Sequence, residues 1–459
     1  MNLKGMEKLG IPSKIALSFL VIILAGSVLL SLPISNLETS TATYFDQLFM
    51  AVSMVCVTGL AVVPVVSTYT LFGQIVSLVL IQIGGLGLMT IIAVLIIQAG
   101  RKVSYSNMMA IQEALNLDKI AHFKKFMLSI IRYTIIIEGT AFLLLTFQFV
   151  PEFGWSRGLF TSLYIAISAF CNAGFDNIGT TSLQAYAANP LINSVVSSLI
   201  ILGGIGFSVW FDVVKNTHSI LKNKQIRFGR LFKKLLVHTR LVLVTTLILL
   251  IFGWVFFLVA EWNMPSSIGH FSIFGKVVIS FFQSVTMRTA GFATIDYTQI
   301  RTVTMIMFFG LMFIGGSPGG TAGGVKTTTF ALLSLLFYNE IKGQEYINYQ
   351  YHTISMQLVR KAIVIIMASF MVLLIGVGLL VIFEPNQPVM YVAFEAVSAL
   401  ATVGVSVNLT PELSTAGQAV IMVMMFIGRI GPITLFLILA GRRKKVKDTK
   451  FAEGDILIG

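Results

Sequence analysis

Cysteine and charge are both scarce in this chain. Its two cysteines, Cys56 and Cys171, allow at most one bridge, which excludes a disulfide-stapled secreted scaffold. Charged residues occupy 11% of the 459 positions, where a soluble domain carries about a quarter, so a lone soluble catalytic domain is excluded. The histidines (122, 218, 238, 270 and 352) are scattered without metal-ligand spacing, and no nucleophile stands beside a base, so no enzyme is read here. What remains is apolar: 56% hydrophobic residues and a mean hydropathy of +0.89, far from the composition of a disordered chain. The expected fold class is an all-α polytopic membrane protein.

At about 20 apolar residues per crossing helix, eight transmembrane helices are expected, near 14–34, 71–98, 126–150, 191–214, 235–260, 301–337, 358–383 and 416–440. The first apolar run, 15–33, exceeds a signal-peptide core of about 7 to 15 residues and has no A-x-A-like end, so it is read as a span. The formal charge of +13 in a soluble protein would suggest a nucleic-acid surface. Here most Lys and Arg fall before the first span or within 101–132, 215–240, 342–361 and 442–450. All of these lie on one face of an eight-span chain. The positive-inside rule then places both termini in the cytoplasm, and no nucleic-acid partner is implied. Segment 215–240 holds eight basic residues and no acidic one. Topology alone accounts for most of that; docking of an acidic cytoplasmic partner accounts for the excess.

Four apolar stretches, 44–57, 159–171, 274–287 and 390–401, are too short to cross and lie in the outer connections. They run into Val57-Thr58-Gly59, Asn172-Ala173-Gly174, Thr289-Ala290-Gly291 and Thr402-Val403-Gly404. These glycines are spaced 115, 117 and 113 residues apart, a period that marks internal duplication. Ten residues before them stand Phe49, Tyr164, Phe281 and Phe394, and six before stand Ser53, Ser168, Val285 and Ser398. Downstream, Gly84-Gly85, Gly203-Gly204, Gly315-Gly316 and Gly428-Arg429 follow at 25, 29, 24 and 24 residues. The chain therefore reads as four parallel helix, pore loop, helix repeats around a central pore: 1–100, 101–218, 219–340 and 341–441, with a basic cytoplasmic tail at 442–459. Irregular backbone at membrane depth is tolerated only where protein buries it or where it lines a watery cavity. Rings of backbone carbonyls in such a cavity replace the hydration shell of a monovalent cation. Small residues allowing tight helix packing explain one copy but not four in phase.

The run Gly315-Gly316-Ser317-Pro318-Gly319-Gly320-Thr321-Ala322-Gly323-Gly324-Val325-Lys326-Thr327 must break the sixth span. It is no Walker A loop, because Val325 intervenes before Lys326 and a membrane helix precedes it. Together with the four glycine segments, this run resembles the Trk/Ktr/HKT superfamily of potassium transporters over nearly the whole chain. Within that superfamily it is most similar to the ion-conducting membrane subunit of bacterial Ktr systems. The resemblance implies potassium uptake across the bacterial plasma membrane, linked to sodium, by a homodimer among membrane lipids. It also implies a KtrA-like cytoplasmic ring that carries the nucleotide, since no nucleotide site is on this chain. The filter residues would be the four triplets just named, with copy two set apart by Asn172. The gate would comprise Gly315, Gly316, Ser317, Pro318, Gly319, Gly320, Thr321, Gly323, Gly324 and Lys326, braced by Arg429. Arg429 stands where three copies carry glycine, and an intramembrane charge is a functional candidate by default. Arg288 and Glu395 are expected to pair behind the filter. The competing classes are a secondary active cation transporter with a discontinuous helix and a non-conducting scaffold of a membrane complex.

This topology predicts that single cysteines placed at Asn223 and Asn408 react with an impermeant maleimide from opposite sides of the membrane. Labelling of both from one side would refute it.

Overall fold

The computed structural model describes residues 11–87, 123–222, 232–432 and 434. Apart from short helical turns and a two-stranded hairpin pairing Asn348–Tyr349 with His352–Thr353, its described elements are helices. The first three are α1 (Ile11–Ser31), α2 (Tyr44–Cys56) and α3 (Leu71–Leu86). Next come α4 (Phe123–Phe153), α5 (Trp155–Cys171), α6 (Pro190–Gly204) and α7 (Phe207–Lys222). They are followed by α8 (Val237–Glu261), α9 (Ile273–Thr286), α10 (Thr302–Phe313) and α11 (Thr327–Ile341). The last three are α12 (Met356–Phe383), α13 (Val389–Leu400) and α14 (Thr415–Ile430).

Among the described residues, α1, α4, α8 and α12 are each long and apolar enough to cross a bilayer, and α6 with α7 forms a fifth candidate bent by 99°. The protein is thus a multi-pass integral membrane protein. Outward side chains on these helices, such as Ile248, Ile251, Met367 and Leu374, are exposed apolar residues, as a lipid-facing surface requires. Two of the eight expected spans differ in shape. The run 191–214 is not straight, because Gly206 takes a left-handed φ of +94° that ends α6 and redirects the chain. The run 301–337 divides into α10 and α11 around the glycine-rich interval. The distal parts of two more spans (88–98 and 435–440), residues 101–122 and 223–231 of the basic segments, and the tail 442–459 lie outside the described residues.

The short helices α2, α5, α9 and α13 sit between the long ones, and close backbone approach fixes them there. A Cβ on Gly84 would collide with Val55 O, on Gly203 with Phe170 O, and on Gly428 with Leu400 O. In each case the carbonyl belongs to the residue four before Gly59, Gly174 or Gly404. Phe49, Tyr164 and Phe394 are fully buried as the pattern predicts, but in the third copy Phe282 takes the buried place. Phe281 is only partly buried and meets Trp254 edge-on at 5.7 Å. Helix α9 ends at Thr286, five residues before Gly291, whereas α2 and α5 end three and α13 ends four residues before their glycines.

Side chains cap the starts of α3, α6 and α14. Thr70, Asn189 and Ser414 side chains accept the amides of Gly73 (3.3 Å), Leu191 (3.0 Å) and Gly417 (3.1 Å). Two carboxylates at the ends of long helices complete this arrangement: Glu261 accepts the Arg301 amide at 3.0 Å and the Thr304 hydroxyl, and Glu384 accepts the Ser414 amide at 2.8 Å. Glu261 is fully buried, so Glu261→Ala leaves two donors unmatched in an apolar setting. The expected loss is about 2 to 3 kcal/mol, read as a fall in the thermal unfolding midpoint in detergent; an unchanged midpoint would refute this role.

Candidate functional site

Each short helix ends in a reversal of the same handedness. Val57, Asn172, Thr289 and Thr402 have φ of 55°, 59°, 68° and 51°, and the glycines two residues on, Gly59, Gly174, Gly291 and Gly404, have φ of 100°, 70°, 84° and 94°. Asparagine and glycine tolerate this region. Valine and threonine, which fill three of the four first positions, do not. Strain of this kind persists where the surroundings over-determine the backbone, and it clusters at ligand sites.

The reason for glycine at the third position is contact between segments. A Cβ on Gly59 would lie 2.7 Å from Ala173 O, on Gly174 2.7 Å from Ala290 O, and on Gly291 2.8 Å from Val403 O; on Gly404 it would collide with Thr58 O. Taken in order, the four triplets touch the next one round and the fourth touches the first. Thr58, Ala173, Ala290 and Val403 carbonyls thus stand at the four junctions of a closed ring. Such oxygens, without any side-chain ligand, suit a desolvated monovalent cation.

Polar groups of the short helices hold the triplets. Ser53 Oγ accepts the Gly59 amide at 3.2 Å and Ser398 Oγ accepts the Gly404 amide at 3.0 Å, a role that spacing alone did not reveal, whereas the Ser168 hydroxyl is buried with no protein partner. In the third copy, where valine replaces this serine, the Thr286 hydroxyl instead donates to Phe292 O at 2.7 Å. The outgoing strands are fastened by Gln47 to the Tyr69 hydroxyl (2.6 Å), by Gln283 to the Thr294 (2.8 Å) and Tyr297 (2.8 Å) hydroxyls, and by Glu395 to the Thr410 hydroxyl (2.7 Å) and the Val407 amide (3.0 Å). These three anchors stand at different distances from their glycines and so escape any search by period. Thr58, Thr289 and Thr402 hydroxyls are buried with no protein partner. The expected Arg288–Glu395 pair does not form. Glu395 is taken up by its own loop, while Arg288 reaches Gly315 O at 3.4 Å, because the two residues belong to neighbouring copies facing different surroundings.

Outside the ring lies a cavity of about 200 Å³ whose wall includes all four glycines, with Asp176 and Asp296 as its charged residues. Burial pushes the Asp176 carboxyl above the usual carboxylate range, opposed by donors from Ile178, Ser182 and Gly179. Neither aspartate was singled out by spacing.

On the other side of the ring is the interval 314–326, folded on itself. The amides of Gly315 and Gly316 donate to Val325 O (2.9 Å) and Gly323 O (3.3 Å), the Thr327 amide donates to Gly316 O (3.0 Å), and Ser317 and Thr327 hydroxyls meet at 2.7 Å. Gly319 and Gly324 have φ of 70° and 67°, and Lys326 Nζ donates to Ala322 O at 2.7 Å. The loop is therefore tightly bonded rather than slack, as glycine content alone would suggest. It abuts the ring: a Cβ on Gly315 would lie 3.0 Å from Thr289 Cγ2, and one on Gly323 would collide with Thr402 Oγ1. Arg429 donates through Nη1 to Thr321 O and through Nη2 to Gly84 O and, at 3.4 Å, Gly85 O. It thus ties the loop to the end of α3. The sequence places the glycine triplets, the loop and Arg429 far apart, and the fold brings them together.

Comparison with known proteins agrees with this geometry. The family model TrkH, described as a cation transport protein, matches residues 8–446. The chain is 38% identical over 448 residues to the Ktr system potassium uptake protein B of Bacillus subtilis, covering 98% of this chain and 96% of that one. It is 36% identical over 450 residues to the potassium/sodium uptake protein NtpJ of Enterococcus hirae, covering 97% and 96%. The crystal structure of the potassium transporter TrkH from Vibrio parahaemolyticus shares the fold, with a TM-score of 0.71 at 17% identity over 92% of this chain and 85% of that one. Matched along almost its entire length, the chain belongs to the TrkH family of cation transport proteins.

Proposed function

We propose that this protein takes up potassium across the bacterial plasma membrane through a pore on the axis of the four glycine triplets. The observation that carries this reading is the cyclic contact of the triplets, each glycine against the carbonyl of the next. Val57, Thr58 and Gly59, Asn172, Ala173 and Gly174, Thr289, Ala290 and Gly291, and Thr402, Val403 and Gly404 form the filter. Their backbone oxygens stand in for the water shell of the ion. The acidic cavity outside concentrates cations before entry. The chain then functions as four repeats with the boundaries read from the period, eight crossing segments and cytoplasmic ends. The names of its relatives support potassium as the ion, a sodium link and a Ktr-type system; a homodimer on a cytoplasmic nucleotide-binding ring is the assembly proposed for it.

The interval 315–324, with Lys326, is the gate. It lies against the inner side of the filter, its position is held by a handful of hydrogen bonds, and Lys326 adds positive potential on the cation path. Arg429 stabilises the seated loop. Seated and displaced forms then differ by about 1 to 3 kcal/mol, a gap that a bound partner can overcome.

Two experiments check these roles. Gly59→Ser, which forces a side chain against Ala173 O, should admit sodium relative to potassium; an unchanged preference in flux assays would remove residues 57–59 from the filter. Deleting residues 317–320, or making Arg429→Ala, should raise rubidium uptake into proteoliposomes about tenfold, the yield of a 1.4 kcal/mol shift, with selectivity kept. Parental uptake in both inserted variants would leave the loop as a passive kink.

A further inference from the structure

The loop 314–326 has a second and more extensive seat than Arg429. At the break between α6 and α7, the Ser317 amide donates to Gly204 O at 2.8 Å and the Thr321 amide to Gly203 O at 3.1 Å, while the Phe207 amide donates to Gly319 O at 2.9 Å. The Thr321 hydroxyl adds Phe170 O at 3.1 Å. The exchange is reciprocal. Carbonyls freed at the end of α6 are taken by loop amides, and an amide freed at the start of α7 is taken by a loop carbonyl. Two broken helices thus satisfy each other where no water is available. The fit also depends on glycine. A Cβ on Gly206 would lie 2.5 Å from Pro318 O, and one on Gly320 would lie 2.8 Å from Gly203 O.

Helix α7 is held as a firm arm beyond this contact. Trp210 Nε1 donates to Leu202 O at 2.9 Å, across the bend. Asp212 accepts the Leu236 amide at 2.9 Å, fixing α7 to the start of α8. Phe211 meets Phe126 of α4 edge-on at 5.6 Å, and Val209 packs with Val242. From its bonded N-terminus the arm leads directly into the basic segment 215–240.

We propose that α7 is the control arm of the gate, with Gly206 and the Phe207 amide as positioning elements that keep the loop seated, so that displacement of α7 releases it. This rests on the reading of 315–324 as a gate, and the test separates the two. Phe207 is the first residue of α7, where proline is tolerated, so Phe207→Pro deletes the amide donor without breaking the helix, and Phe207→Ala controls for the lost ring. Losing one hydrogen bond of about 1 kcal/mol corresponds to about fivefold. Phe207→Pro should therefore take up rubidium about fivefold faster than Phe207→Ala in proteoliposomes, and its 314–326 amides should exchange with deuterium faster. Gly206→Ala, which drives a methyl against Pro318 O, should act in the same direction and serves if the proline variant does not insert. In the protein lacking 317–320, the proline change should add nothing.

Equal exchange and equal uptake in Phe207→Pro and Phe207→Ala, with Gly206→Ala at parental uptake, would overturn the control arm. So would faster exchange with unchanged uptake, provided that the 317–320 deletion still raises uptake. If the deletion itself leaves uptake at the parental level, the gate reading fails, and the exchange data still decide whether α7 seats the loop.

Discussion

Backbone that leaves a helix inside a membrane must find its hydrogen-bond partners within the protein, because neither lipid nor bulk water supplies them. The architecture around the axis follows from that constraint. Four chain reversals, one bent helix and one broken helix each expose amides and carbonyls, and each is answered by another irregular segment or by a polar side chain reaching from a neighbour. Glycine makes this possible. At Gly84, Gly203 and Gly428 a helix presses on a carbonyl with no room for a Cβ, so the irregular backbone can be covered closely by its own repeat.

Closure of the ring uses the same device between repeats. Each of the four positive-φ glycines lies against the carbonyl of the next segment, so no triplet can shift without disturbing its neighbours. Such mutual contact offsets the strain of placing Val57, Thr289 and Thr402 in the left-handed region. It also explains why the flanking chemistry can vary. Ser53 and Ser398 tether two of the glycines, a threonine does other work in the third copy, and Asn172, natural in a left-handed turn, begins the second.

Departure from likeness among the four segments is concentrated on the side of the ring that carries the 314–326 loop. The third copy opens its second helix into a loop, the second copy bends to receive it, and the fourth contributes Arg429, which also reaches the first. Three of the four copies are thus specialised around one loop. The loop at 314–326 is thereby held by backbone and side-chain contacts from three different parts of the chain.

The glycine period and the alternation of long and short apolar runs were sufficient to read a multi-pass helical membrane protein and the helix break at the glycine-rich run between Phe313 and Thr327. These features depend on length, polarity and φ, which individual residues determine. The pairing of Arg288 with Glu395 was misread, and the bend within 191–214 was not foreseen. Both depend on which surfaces face each other, and spacing along one chain carries no such information. Glu395 was singled out but given the wrong partner, while the anchors Gln47 and Gln283, the buried Glu261 and the wall aspartates Asp176 and Asp296 carry no repeated spacing, and only packing selects them. Above all, the interlock of the 314–326 loop with the α6–α7 break was decided by tertiary structure. Its hydrogen bonds are backbone to backbone, and backbone groups are the same at every residue but proline, so nothing in the order of side chains marks which carbonyl meets which amide.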